Sequence, residues 1–458
     1  MPTILESSTV SRATAASKAL QRRPLLAVAV LAGALRLVFA LVSFAVNDPW
    51  LIPDEGQYVG LATAVAAGRG AEAWFPGYGQ SLYDGTRAFM VPLAALFEVV
   101  GPSRLVGQLW AAAFGVATAV GTALLARKAA GNRAALIAGC LVAALPSQVL
   151  WSSTVLRESL VWCGLVLVAL GMARSYEPGR SPVAPLALVA AALLGLGYLR
   201  VQTMLAAAGA AVLVAWLLPR PQRPARGAFA LMAALTIPMV VGVGPFGVDL
   251  LRESLPELGT TRTQLSAGAE SAFASAVTVP PHRSTSSTTA PTTSSTSATS
   301  ATSASAPRGS DKETSPPDTS VTRHPRTIRT NDGTEYAVDE SLTADVEALP
   351  RGLVATTLRP FLWEPRTSIT LRLASLENLV WYVLYAVAVA GAWAGRRRLD
   401  VLAVPLVTAG ALVVGGALTQ GNLGTAFRHR GQIFWIVALL ASFGIEQRLA
   451  ARSATSHA

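Results

Sequence analysis

Four short groups of charged and polar residues hold most of the chemistry this sequence offers. Asp54 and Glu55 stand side by side in Pro53-Asp54-Glu55-Gly56-Gln57-Tyr58, just past the first long apolar run. An ionised carboxylate within hydrogen-bond reach of a hydroxyl can act as a general base. Acids in a first helical turn also complement the positive end of the helix dipole, so a capping role competes with a catalytic one. Adjacent residues on a helix do not face the same way, so one acid can face a cavity while the other caps or pairs. Arg157-Glu158, close after Ser152-Ser153-Thr154, reads either as a local ion pair at a membrane boundary or as a polar cavity wall. Arg200 with Gln202 suits snorkelling to headgroups or the binding of a lipid phosphate. Arg428-His429-Arg430 follows the glycine-bearing stretch Gly421-Asn422-Leu423-Gly424. Arginine forks and the amides of such a turn fit phosphate oxygens, while a plain headgroup anchor is the alternative. His429 has the side chain that titrates nearest neutrality.

Other chemistries find no support. There is no phosphate-cradling glycine motif for a nucleotide, no Ser–His–Asp pattern and no zinc spacing. With four histidines and no close carboxylate–His spacing, the sequence has no metal signature. Cys140 and Cys163 both lie inside apolar runs, so no disulfide framework is implied.

The elements that must position these groups are membrane helices. Hydrophobic residues make up 52% of the 458-residue chain and charged residues 14%, with a mean hydropathy of +0.45. The net charge of +11 does not point to nucleic acid, because the arginines fall in short clusters between apolar runs, where basic charge sets topology. The first run, 24–46, is too long for the apolar core of a signal peptide and is expected to stay as an anchor. Further spans are expected at about 105–125, 134–150, 160–173, 183–199, 203–218, 228–246, 376–393, 401–418 and 433–445. The run 88–100 is too short to cross and reads as an interfacial or re-entrant helix. Basic linkers after 125, 173, 218, 393 and 445 then fall on the side of the N-terminus. The expectation is an all-α polytopic membrane protein of about ten transmembrane helices with extracytoplasmic amphipathic helices.

That alternation divides the chain. Residues 1–23 form a cytoplasmic tail and 24–247 a transmembrane core whose first extracytoplasmic loop is 47–103. Residues 248–374 form a second outer loop, 375–449 the C-terminal helices and 450–458 a cytoplasmic tail. All four chemical groups land on the outer face. Within the second loop, 282–325 is almost entirely Ser, Thr, Ala and Pro and is expected to be disordered. Residues 338–357 have amphipathic spacing, interrupted at Pro350.

The order of spans and short motifs resembles a known family. An outward first span is followed by Pro53-Asp54-Glu55-Gly56-Gln57-Tyr58 and a helix ending Ala67-Gly68-Arg69-Gly70. Val91-Pro92-Leu93, Gly101-Pro102-Ser103-Arg104, Leu145-Pro146 and Arg157-Glu158 come later. This resembles the GT-C superfamily of polytopic glycosyltransferases, near the protein-mannosyltransferase and aminoarabinose-transferase-like branch, glycosyltransferase family 39. The resemblance covers about 24–200 and continues more sparsely in Leu349-Pro350-Arg351-Gly352 and 422–430. It implies an inverting transfer of a sugar from a polyprenyl-phosphate donor to a glycan, lipid or protein acceptor at the extracytoplasmic face. It also implies an acidic base in the first outer loop, at Asp54 with Glu55 beside it. Some members need a divalent cation, but no metal ligand carries over. The C-terminal soluble domain of some members is absent here, and the Ser/Thr-rich insert is unusual.

The leading expectation is therefore a membrane glycosyltransferase in which Asp54 is the base. Arg428, Arg430 or Arg200 would stabilise the departing phosphate. Two other readings compete with it. One is a polymerase of lipid-linked repeat units, which would use a diphosphate donor. The other is a transporter of a lipid-linked glycan, which calls for polar residues at mid-span and broken helices in repeated halves.

Overall fold

A computed structural model describes residues 23–46, 53–76, 79–179, 181–218, 327–329, 335–337, 342–364, 369–419 and 423–455. The expected span at 228–246 and the Ser/Thr-rich stretch 282–325 lie outside these residues.

Helices build the fold. In chain order they are α1 (Pro24–Val46), α2 (Pro53–Ala66), α3 (Ala71–Trp74), α4 (Gly79–Asp84), α5 (Arg87–Val100), α6 (Arg104–Ala130), α7 (Asn132–Ala144), α8 (Pro146–Ser152), α9 (Glu158–Ser175), α10 (Val183–Gly197), α11 (Val201–Leu217), α12 (Leu342–Thr357), α13 (Ile369–Ala394), α14 (Leu399–Thr419) and α15 (Leu423–Thr455). A short two-stranded antiparallel ribbon, β1 (Thr327–Arg329) with β2 (Glu335–Ala337), is a minor addition to this mostly helical architecture, which agrees with the all-α expectation.

Five helices among the described residues are long and apolar enough to cross a membrane, and six if the bent pair α7–α8 counts as one span. The chain is thus a multi-pass helical membrane protein, with fewer spans in evidence than ten. α5 has 14 residues, about 21 Å of helix, which is short of a hydrocarbon core. α12 runs unbroken through Pro350, contrary to the expected interruption. It lies against α14 so closely that a side chain at Gly352 would collide with the Ala417 carbonyl.

Local sequence explains the main turns. Gly131, with φ of 89°, ends α6 in the left-handed region, and its N–H closes on the Arg127 carbonyl at 2.9 Å. The 134–150 run, expected as one span, is instead two helices bent by 63°. Pro146 has no N–H to give the Val142 carbonyl, and the residue before a proline is pushed out of the helical region. Leu145 accordingly sits at φ −62° and ψ 127°.

Small residues bring the helices together, as expected where lipid supplies no hydrophobic drive between them. Gly391 on α13 meets the backbone of α15 at Leu440, and a Cβ at Gly444 would lie 3.2 Å from the Gly391 nitrogen. The bundle has two polar ends. At one, Lys128 pairs with Glu177 at 2.7 Å, Arg133 with Glu446 at 3.7 Å, and Arg398 donates to the Ala129 carbonyl at 2.6 Å. The residues singled out for chemistry gather at the other.

Candidate functional site

The site end begins where α1 stops and α2 starts, which separates Asp54 from Glu55. The Glu55 side chain is only 3% exposed, whereas that of Asp54 is 50% exposed. Glu55 Oε1 accepts the Gln108 amide at 3.0 Å and the Val155 backbone N–H at 2.9 Å. Its Oε2 accepts Arg104 Nε at 3.0 Å and lies 2.9 Å from Arg104 Nη2, which also reaches Ser43 Oγ at 3.0 Å. Four donors fill this carboxylate. It ties α1, α2 and α6 to the turn between α8 and α9, and no lone pair is left for substrate.

Asp54 faces the other way. Its Oδ2 accepts Arg428 Nη1, from the first turns of α15, at 2.7 Å. The same guanidinium donates from Nε to Glu158 Oε1 at 2.7 Å, so Arg428 bridges a half-exposed and a buried carboxylate. Arg200, at the start of α11, adds a 3.2 Å bond to the same oxygen of Glu158. The second oxygen of Glu158 has no hydrogen-bond partner among the described residues although the residue is 1% exposed. Arg157 donates from Nη1 to the carbonyls of Gly85 at 2.6 Å and Leu199 at 2.7 Å, holding α4 and the α10–α11 turn. The Arg428 guanidinium also lies 5.8 Å from the centre of the Trp151 ring.

Electrostatics follow from this packing. Burial alone would lower the Arg428 guanidinium, but the charge and hydrogen bond of Glu158 outweigh it and raise it. Burial, with the nearby charge of Arg157, pushes Arg200 down to about 10, which leaves it cationic at neutral pH. Burial and the charge of Arg200 push His429 well below its ordinary 6.5, so the imidazole is neutral. Burial raises the Tyr58 phenol. Arg428 and Arg200 take up the carboxylates of Asp54 and Glu158 while Arg157 donates only to backbone carbonyls, so three guanidinium groups stand near two carboxylates and the cluster keeps an excess of positive charge. An anion of modest charge fits that excess.

The structure brings Asp54, Arg157, Glu158, Arg200 and Arg428 together from elements hundreds of residues apart. Gln202 does not join them, because its side chain is exposed on α11. Arg430 is buried and turned away. It donates to the Thr357 carbonyl at 2.7 Å and Asn378 Oδ1 at 2.6 Å, and it stacks 4.8 Å from the Trp381 ring centre. Its work is to fasten α15 to α12 and α13.

A divalent cation finds no ready site among the described residues. No three metal-ligating side chains come together among them, and the carboxylates of Asp54 and Glu158 are already bridged by Arg428. A cation there would have to displace a guanidinium.

Sequence reasoning missed Gln108 and Arg36, and it gave Arg104 no role beyond its place in a short motif. Arg104 had a readable signal: an arginine in the first turn of a helix opposes the dipole and so needs an external partner. Gln108 lies four residues on, on the same face. Arg36 sits in the middle of the first apolar run, where a charge costs about 2.5–3.5 kcal/mol and demands a partner.

No protein-family model, curated protein or solved structure was found to match this chain.

Proposed function

We propose that this chain is a membrane glycosyltransferase that moves a sugar from a polyprenyl-phosphate donor to a hydroxyl acceptor at the extracytoplasmic face. The observation that carries the reading is the bridge from half-exposed Asp54 through Arg428 to buried Glu158. A carboxylate open to an acceptor stands beside a guanidinium matched to a phosphate.

In the proposed reaction the acceptor oxygen attacks the anomeric carbon and its proton passes to Asp54. The bond from that carbon to the phosphate oxygen breaks, and the lipid phosphate leaves with the bonding electrons. Arg428 and Arg200 face the charge that grows on the departing group. A phosphate that takes the Arg428 fork would release Asp54 from its ion pair, so donor binding would itself free the base. The sidedness rests on the alternation of basic linkers, and the inverting course rests on the family resemblance.

Purified Asp54→Asn protein, shown to be folded, is assayed for transfer from polyprenyl-phosphate sugars. Loss of transfer is expected, and wild-type rates would remove Asp54 as base. One observation favours a transporter of a lipid-linked glycan instead: the broken α7–α8 span with buried Arg36 beside it. That reading gains ground if Asp54→Asn and wild-type vesicles move a fluorescent lipid-linked sugar across the bilayer equally fast.

A further inference from the structure

The break in the α7–α8 span opens the helical ladder inside the bundle. An unbroken helix would pair the carbonyls of Val142 and Ala143 with the N–H groups of residues 146 and 147. Pro146 has no N–H, and the Ser147 N–H points elsewhere. Backbone groups buried among membrane helices must find partners, because lipid offers none. Two charged side chains from distant helices supply them. Arg36, from the middle of α1, donates from Nη1 to the Ala143 carbonyl at 3.2 Å and from Nη2 to that of Val142 at 3.5 Å. Glu377, from α13, accepts the Ser147 N–H at 2.7 Å and the Ser147 hydroxyl at 2.5 Å, with Trp381 Nε1 at 2.9 Å.

Arg36 also reaches past the break. Its Nε donates at 2.7 Å to Ser152 Oγ, the last residue of α8. Gly115 on α6 leaves the room, since a Cβ there would run into Arg36 Nε and lie 2.6 Å from Ser152 Cβ. Beyond Ser152 comes the turn 153–157, whose Val155 N–H is held by Glu55 and which delivers Arg157 and Glu158. The turn is thus gripped at one end by Arg36 and in its middle by Glu55. An apolar pair could pack the same space without the cost of two charges in the membrane.

We propose that Arg36 and Glu377 are positioning residues: they hold the break in the α7–α8 span open and thereby fix the turn that presents Glu158 to Arg428. This rests on reading the Asp54–Arg428–Glu158 cluster as the working site, but not on which reaction occurs there.

Two disulfide reporters test it in protein with Cys140 and Cys163 replaced by alanine. A Cβ at Gly107 would lie 3.5 Å from Val155 Cβ, which is within reach of a disulfide, so Gly107→Cys with Val155→Cys reports on the turn. A Cβ at Gly121 would lie 3.7 Å from Val166 Cβ, so Gly121→Cys with Val166→Cys reports on α6–α9 packing away from the break. Under mild oxidation, Arg36→Met and Glu377→Leu are each expected to slow the turn reporter at least tenfold and leave the second within twofold. Arg36→Lys and Glu377→Asp are expected to recover part of the rate. An unchanged turn reporter overturns the proposal. So does a matched loss of both reporters without recovery by the conservative variants, which marks general collapse. If the wild-type protein transfers no sugar, the proposed reaction fails while the crosslinking result stands.

Discussion

Arg428 Nη1 lies 2.7 Å from Asp54 Oδ2, across 374 residues of sequence. The contact joins the start of α15 to the start of α2. It divides the acidic pair, because Glu55 has its own four donors on the opposite side. Replacement of the two acids should therefore fail in different ways. Asp54→Asn is expected to lower transfer by roughly a hundredfold or more, the range of a lost general base. Its unfolding midpoint should barely move, since a half-exposed ion pair contributes about 0–1 kcal/mol. Turnover and thermal unfolding measured on one detergent preparation check both halves.

Glu55→Gln should do the reverse. Removing one charge from a buried pair leaves Arg104 uncompensated and costs about 3–5 kcal/mol. The expected outcome is a clear fall in the unfolding midpoint. In a double-mutant cycle, Arg104→Met should recover part of the loss when combined with Glu55→Gln. Additive effects would show that the two residues do not act as a pair.

Arg428→Lys is expected to behave almost as badly as Arg428→Ala. A lysine ammonium is a point charge and cannot give separate donors to Asp54 and Glu158 in the geometry of the guanidinium fork. Both variants should weaken donor affinity at least tenfold. Competition by mono- and diphosphate lipids, measured on the wild-type protein, separates transfer from polymerisation of repeat units.

His429 predicts a pH dependence of stability. Its folded pKa is depressed below the unfolded value near 6.5, so the unfolded chain binds more protons as pH falls through that value. Stability is then full above about pH 6.5 and declines below it. The unfolding midpoint of the wild type should drop between pH 7.5 and 5.5, and His429→Asn should flatten that slope. An identical slope in both proteins would remove His429 as its source.

Much of this layout was open to reading in the sequence, and the reason is periodic. Long apolar runs and basic linkers locate spans such as α6, α9 and α14 to within a few residues, because burial in lipid constrains a whole stretch. The residues of the cluster were also legible, since Asp54, Glu158, Arg200 and Arg428 are polar where the surroundings are not. Their division of labour was not. Whether an acid caps, pairs or reacts depends on what packs against it, and the partners of Glu55 lie 49 to 100 residues away. Arg430 misled for the same reason: two positions from Arg428, it turns to another face and fastens α12 and α13. The break at Leu145-Pro146 was written plainly but hidden inside a run of span length.

The clamp at that break has a consequence for how the protein is made. Ser147 reaches the membrane long before its partner Glu377 exists, for 230 residues separate them. At ~5–20 residues per second, the ribosome needs roughly 10–50 s to deliver it. During that interval α8 has no lasting acceptor for its first amide, so the short helix is left waiting at the membrane with the turn behind it unanchored. The site is completed late in synthesis, when α13 and then α15 arrive, and a chain truncated before them would insert its first spans yet never assemble the Asp54–Arg428–Glu158 bridge.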